Sequence, residues 1–270
     1  MGIKRSTLYY KRKINIHKKQ KELRIRKKIE DISREHPYYG YRRITAQLRR
    51  DKLIVNHKKV LKIMKKMGIQ GRIKRKYIAT TNSRHNNKIY PNLIKDKEIT
   101  GINQVWCADI TYIRILNGFV YLSAIIDIYS RKIVGYAIGK TLSSKLAITA
   151  LNMAIATRNT DNLIHHSDRG IQYTCKDYIK ILRDNGIRIS MSAKGNPYDN
   201  AFAESLIKTI KQEEVYLWQY ETFSDVLERI PYFIEDVYNR KRLHSSLGYR
   251  PPEEYERLLV KNSSRECMVC

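Results

Sequence analysis

The chain has 270 residues and carries 53 lysines and arginines against 26 acids, a formal net charge of +27. That length suits about two domains at ~100–200 residues each, and the charge is far beyond what solubility requires. The longest apolar stretch, Phe119–Ile128, contains Asp127 and is too short to span a bilayer, and Met1–Tyr10 lacks the apolar core of a signal peptide. Four cysteines, Cys107, Cys175, Cys267 and Cys270, make no disulfide framework in a chain this long, so a reduced, cytosolic protein is expected. Cys267-Met-Val-Cys270 has metal-ligand spacing but no second pair, and reads as a frayed tail.

The charge is unevenly placed. Residues 1–100 hold 31 Lys+Arg and 7 Asp+Glu, a net of +24, and the remaining 170 hold 22 and 19, a net of +3. Such a division is the footprint of a nucleic-acid-binding module joined to a more neutral domain. In chain order, Ile25, Ile29 and Ile32 fall at i, i+4 and i+7, one buried face of a helix that His36-Pro37 ends. A second helix spans Arg42–Arg50 with Ile44 and Leu48 inward. Asn56 is placed to cap a third, from His57 to about Met67, which Gly68 closes. Val60, Leu61, Met64 and Met67 form its expected buried stripe. Lys58, Lys59, Lys62, Lys65 and Lys66 cover the rest, with His57. Two short helices around a tight turn suit a helix-turn-helix. Those lysines fit phosphate contact, or else an ordinary solvated face.

Residues 72–100 read as a linker and residues 259–270 as a tail. From Gln104 the pattern changes to strands: Val105–Ile115, then Phe119–Ile128 after Asn117-Gly118, then Lys132–Gly139. A helix over Ser144–Ala156, a strand at Asn162–Ser167, a helix at Asp177–Asp184 and a strand at Ile187–Met191 follow. Helices at about Asp199–Tyr216 and Ser224–Asn239 close the region. The expected fold over residues 101–258 is therefore α/β, with a mixed sheet flanked by helices, preceded by a small basic all-α domain over residues 1–71.

Three acids sit where acids are costly. Asp109 interrupts the first strand, Asp168 ends the strand Leu163-Ile-His-His-Ser-Asp168, and Glu204 lies early in a helix that Asp199 or Asn200 can cap. Singly, each has a dull explanation: a paired strand acid, a turn residue, a favoured helix start. Together, converging carboxylates need divalent cations, and oxygen donors suit Mg²⁺ or Mn²⁺. His165 and His166 alternate on one strand and are expected to pack or hydrogen-bond rather than ligate metal.

The surrounding words carry a resemblance. Trp106-x-x-Asp109-x-Thr111-Tyr112, His166-Ser-Asp168-Arg-Gly170-x-Gln172-Tyr173, Asn196-Pro-Tyr-Asp199-Asn200-Ala-x-x-Glu204-Ser205 and Tyr238-Asn239-x-x-Arg242-x-His244 through Pro252 occur in order. Asp168 and Glu204 have 35 residues between them. With His36-Pro-x-Tyr-Gly-Tyr-Arg-Arg-Ile44 and Val55-Asn-His-Lys-x-Val60, the sequence resembles bacterial insertion-sequence transposases of the retroviral integrase superfamily over roughly residues 36–255. The resemblance implies a ribonuclease H-like core in which Asp109, Asp168 and Glu204 bind two divalent ions. It implies cleavage that frees a 3′-hydroxyl at the element end, and attack by that hydroxyl on another phosphodiester, with no covalent protein–DNA intermediate. The twenty tyrosines are then core and DNA-stacking residues.

Lys208 and Lys211, at i+4 and i+7 from Glu204, are expected to share its face and meet the DNA backbone beside the cut, or else to be solvated. Residues 1–100 hold no cysteine, so the zinc module known at the front of retroviral integrases is not expected. A non-catalytic DNA-binding regulator would not need the three acids together. A ribonuclease H-like nuclease or resolvase shares the metals, but the Tyr238–Pro252 stretch favours the transposase. The family further implies DNA as partner, a homo-oligomer on it, and an upstream-frame helix-turn-helix protein or frameshift fusion. The opening Met1–Tyr10 resembles text that relatives carry after further residues, so a late or shortened start is expected.

Overall fold

The structure, a computed structural model, describes residues 16–69, 88–95, 97–193 and 200–266. Met1–Tyr10, residues 72–87 of the expected linker, Asn196–Asp199 and the Cys267–Cys270 pair lie outside the described residues. Two compact units share the chain, residues 1–73 and 74–270.

The first unit packs three helices: α1 (Ile16–Glu35), α2 (Tyr41–Arg50) and α3 (His57–Lys66). Its core is the periodic set expected from spacing, with Ile25, Ile29, Ile32, Ile44 and Leu48 all buried. α1 ends as its last carbonyls are taken, with the His36 amide donating to Ile32 O at 2.8 Å just before Pro37. Asn56 caps α3, its side-chain oxygen accepting the Lys58 amide at 2.8 Å. Gly68 adopts φ 66°, the left-handed conformation that closes a helix at least cost in glycine. One detail is corrected. The buried stripe of α3 is Val60, Ile63 and Met64, while Leu61 and Met67 are half-buried at its flanks. Spacings of three and four residues, not one, share a helical face. Lys58, Lys59, Lys62, Lys65 and Lys66 are exposed.

The second unit is built on a five-stranded sheet in the order β3-β2-β1-β4-β5. The strands are β1 (Val105–Ile115), β2 (Gly118–Asp127), β3 (Ile133–Gly139), β4 (Ile164–Ser167) and β5 (Arg188–Met191). β1, β2 and β3 pair antiparallel, and β4 joins β1 and β5 in parallel. Helices α4 (Ser144–Thr157), α5 (Ile171–Thr174) and α6 (Lys176–Asp184) fill the connections. α7 (Ala201–Ile210), α8 (Phe223–Tyr232) and α9 (Pro252–Glu266) follow the last strand. β1 is central and buried on both faces, so its residues alternate between two cores. Val105, Cys107 and Ile113 pack with Ala203, Leu206, Ile207 and Ile210 of α7 and with α8. Trp106 and Ala108 pack on the opposite side with α4 and α6. Each fully buried large side chain contributes roughly 1.5–3 kcal/mol to this sandwich.

Five expectations are adjusted. The hairpin turn is centred on Leu116-Asn117, because Ile115 pairs with Gly118, which begins β2. Part of the expected linker belongs to the second unit: the Leu93 amide donates to Ser190 Oγ at 2.9 Å and the Met191 amide to Pro91 O at 3.3 Å. The helix expected over Asp199–Tyr216 is α-helical only to Ile210 and then widens into a π turn, Lys211–Val215. α8 widens likewise over Phe233–Asn239, just beyond Pro231, whose missing N–H breaks the regular ladder. The expected tail is helical as far as Glu266.

Candidate active site

The sheet places two of the three acids side by side. β1 and β4 run parallel in the register Val105↔Ile164, Trp106↔His165, Cys107↔His166. Two residues further along both chains stand Asp109 and Asp168, at the carboxyl end where β4 stops. The odd-numbered residues of β1 face α7, so Asp109 turns toward the helix that carries Glu204. α7 is anchored to the same spot. Asn200, buried at its start, donates from Nδ2 to Ala108 O at 3.4 Å. Asn200 occupies the N-cap position as expected, but its side chain makes no cap hydrogen bond.

Local chemistry fixes each carboxyl. Asp109 is half-buried and accepts its neighbour Ile110's amide at 2.8 Å. Asp168 closes a tight turn in which its Oδ1 accepts the Gly170 amide at 2.8 Å. Gly170 O in turn accepts the amides of Tyr173 and Thr174, starting α5. A Cβ on Gly170 would stand 2.9 Å from Asp168 Oδ1, so glycine is what lets the backbone approach this carboxylate. Glu204 is exposed in the first turn of α7.

The charges of Asp168 and Glu204 both reach Asp109. Asp109 is pushed up to about 7, first by burial, then by the charges of Asp168 and Glu204, with the Ile110 amide and Lys211 opposing. Among the described residues no three His, Cys, Asp or Glu side chains stand close enough to hold a metal ion as they lie. Lys208 is exposed one turn beyond Glu204. Lys211 differs from it. It is half-buried in the π turn, its Nζ 4.4 Å from the Tyr112 ring centroid, and burial lowers its pKa against the pull of Asp109. The two lysines therefore do not form one solvated face.

Other motif residues are framework. His165 pairs with Tyr178 OH at 2.9 Å and His166 with Ser190 Oγ at 2.8 Å, both buried, as expected of packed histidines. Asn239 clasps Ile133 by both its amide and carbonyl at 3.0 and 3.1 Å. Arg242 grips Glu213 with two bonds of 2.7 and 2.8 Å, which fixes the π turn following α7. Sequence reading missed this ion pair. Arg242 lies in one of the family motifs, but its partner is 29 residues away with no local signal.

Comparisons with known proteins agree with this architecture. The integrase core domain family matches residues 100–197 and 185–252, and the HTH-like domain family matches residues 20–77. The chain is 39% identical over 241 residues to the 31 kDa protein of insertion element IS600 from Shigella sonnei, covering 88% of this chain and 89% of that one. It is 38% identical to the transposase for insertion sequence element IS904 from Lactococcus lactis, covering 85% and 92%. It is 35% identical to the transposase InsF for IS3A from Escherichia coli, covering 83% and 79%. Among solved structures, the simian T-cell lymphotropic virus intasome aligns at 16% identity and TM-score 0.47, over 84% of this chain and 73% of that one. The HTLV-2 integrase catalytic core domain in complex with magnesium aligns at 14% identity and TM-score 0.44, over 57% and 95%. An HTH-like front unit and a mixed-sheet integrase core thus occur in one chain, which belongs to the insertion-sequence transposases and acts as a polynucleotidyl transferase on DNA.

Proposed function

We propose that Asp109, Asp168 and Glu204 are the catalytic acids of this transposase and together hold two divalent ions, Mg²⁺ or Mn²⁺. The observation that carries this reading is that Asp168, beside Asp109 at the end of β4, and Glu204, at the start of α7, both act on the Asp109 carboxyl at one end of the sheet. Their mutual repulsion is relieved when they draw together around cations, and all-oxygen donors suit these metals. When bound, the ions supply Lewis acidity to the attacking and leaving oxygens of an in-line displacement at phosphorus.

The chain's own residues do the rest. The Ile110 and Gly170 amides orient Asp109 and Asp168. Lys211 brings positive charge to the edge of the acid cluster, and Lys208 meets the phosphates one turn further out. The lysines of α3, Lys58, Lys59, Lys62, Lys65 and Lys66, hold the duplex by its backbone, with residues 1–71 acting as the DNA-binding region and 101–258 as the catalytic core. A 3′-hydroxyl freed at the element end then attacks a second phosphodiester. Two or more copies assemble on the DNA, an upstream-frame helix-turn-helix protein or frameshift fusion completes end recognition, and the work is done in the bacterial cytoplasm at the nucleoid. No helix among the described residues is long and apolar enough to cross a membrane.

The test is a count of metal. Mn²⁺ bound by the full chain on element-end DNA, followed by electron paramagnetic resonance, is expected to reach two ions per active site. Asp168→Asn is expected to lose both while keeping the DNA. Two ions retained in that variant would place the metals elsewhere.

A further inference from the structure

Beside the acid cluster lies an aromatic strip that the proposed catalysis does not use. It is built from two segments that both start at a proposed catalytic acid. β1 continues three residues past Asp109 to Tyr112, a backbone distance of ~10 Å, and Tyr112 stands on the opposite face of β1, at the edge that β4 leaves open. The second segment runs from Glu204 on α7 through the π turn at Lys211 to Tyr216. The two segments are joined where the Leu116 amide donates to Glu221 O at 3.2 Å. Along this seam Lys211 Nζ stands 4.4 Å from the Tyr112 ring, and Tyr112 meets Phe119 edge-to-face at 5.3 Å between centroids. The Tyr216 phenol is pushed up first by burial and then by its neighbour Tyr112. Phe119 is 48% exposed and Leu116 at the hairpin tip 72%. β4 stops at Ser167, so the far half of β1 is not covered by a strand on that side.

We infer that Tyr112, Phe119 and Tyr216 seat unpaired bases of the DNA strand next to the reacting phosphate, an inference that rests on the transposase site proposed above. Charge favours this occupant. Lys211 and Arg114, which pairs with Phe119 across the hairpin, flank the strip, so a phosphate backbone leaving the acid cluster meets cations while its bases meet aromatic faces. A paired base offers its faces only to its neighbours in the stack, whereas an unpaired base offers them to a side chain. A separation of ~10 Å corresponds to about three stacked nucleotides at ~3.4 Å each. The seat therefore takes the last few nucleotides of a frayed or cut end, and stacking makes it tolerant of sequence.

The experiment uses the full chain and two DNA probes of equal length, a blunt duplex and a duplex with a three-nucleotide single-stranded overhang carrying 2-aminopurine. The parental chain is expected to bind the overhang probe about tenfold tighter than the blunt one and to quench the 2-aminopurine by stacking. Phe119→Ala is expected to lose both effects with its blunt-duplex affinity unchanged, and Phe119→Trp to keep them. Equal binding of the two probes by the parent overturns the inference, as does an overhang preference that survives Phe119→Ala. So does a change of oligomeric state in Phe119→Ala without loss of the preference, which would make the strip a protein contact. Strand joining by the parent in the same preparation separates the cases. If joining depends on Asp109, Asp168 and Glu204 but the overhang preference is absent, the seat alone is wrong. If joining survives their substitution, the site reading is wrong instead.

Discussion

The two units of this transposase use charge in opposite ways. In the front unit the basic side chains of α3 stand in solvent, and Lys28, itself partly exposed, is raised by its hydrogen bond and ion pair with Asp51. In the second unit, Asp109, Asp127, Arg131, Lys211 and Glu214 are all displaced, each first by burial. Exposed charge gives affinity that salt screens, and buried charge gives chemistry or architecture. Which of the two a buried acid gives is decided by how it is answered. Asp127 is almost fully buried but accepts the amides of Asn103, Tyr129 and Ser130 at 2.6–2.9 Å, so it is a structural carboxylate that caps the β2–β3 turn. Asp109 accepts one, from Ile110, and otherwise faces two more acids.

Removing the front unit should break the comparison most severely. Residues 88–95 pack on β5, so the shortened chain should begin at residue 88 rather than near Thr100. Its DNA affinity at moderate salt is expected to fall by about 10³-fold, and its log–log salt slope to flatten by ~0.9 for each phosphate that the front unit no longer neutralises. Equal slopes for the two chains would mean that the α3 lysines do not carry the affinity. Within the second unit, Gly170→Ala presses a methyl group on Asp168 Oδ1. Joining is expected to drop on the order of 10- to 100-fold with DNA binding intact, because small misplacements at a reacting centre are costly. The double variant Lys208→Ala/Lys211→Ala should slow joining about tenfold at low salt, with the deficit shrinking as salt rises. A deficit independent of salt would assign the lysines a packing role.

The smallest effect concerns stability. Asp109 holds its proton more tightly in the folded chain, at about 7, than its ordinary 3.8. The folded state thus binds the extra proton between those values, and stability falls as pH rises from about 4 to 7. Asparagine cannot ionise. Without added metal at pH 8, Asp109→Asn is expected to melt ~2–4 °C higher than the parent. A lower melting temperature for Asp109→Asn at pH 8 would mean that its charge is well answered after all.

Much of this was readable from residues alone, for reasons that differ by region. The three front helices follow from isoleucine spacing and an asparagine cap, local signals that tertiary packing did not override. The five strands follow from β-branched runs punctuated by turns. Asp109, Asp168 and Glu204 stand out in the sequence because the words around them are specific, and the parallel register of β1 and β4 places the first two side by side. What was not legible is non-local. Nothing near Lys211 announces a π turn, since it is held by Arg242, 29 residues from Glu213. Residues 88–95 look like linker because their partner, Ser190, lies 97 residues further on from Leu93. Leu61 reads as part of the buried stripe of α3 in place of Ile63, two positions on, because the two are equally apolar and only the helical angle distinguishes them.

The most direct measurement is single-turnover joining of element-end DNA in Mg²⁺ by Asp109→Asn, Asp168→Asn and Glu204→Gln, with DNA binding measured on the same samples. These substitutions remove a charge and a ligand while keeping shape. Each is expected to lose joining by ~10³-fold or more with DNA affinity within about twofold of the parent. Substantial Mg²⁺-dependent joining in any one of the three would contradict the assignment of these acids as the catalytic metal site.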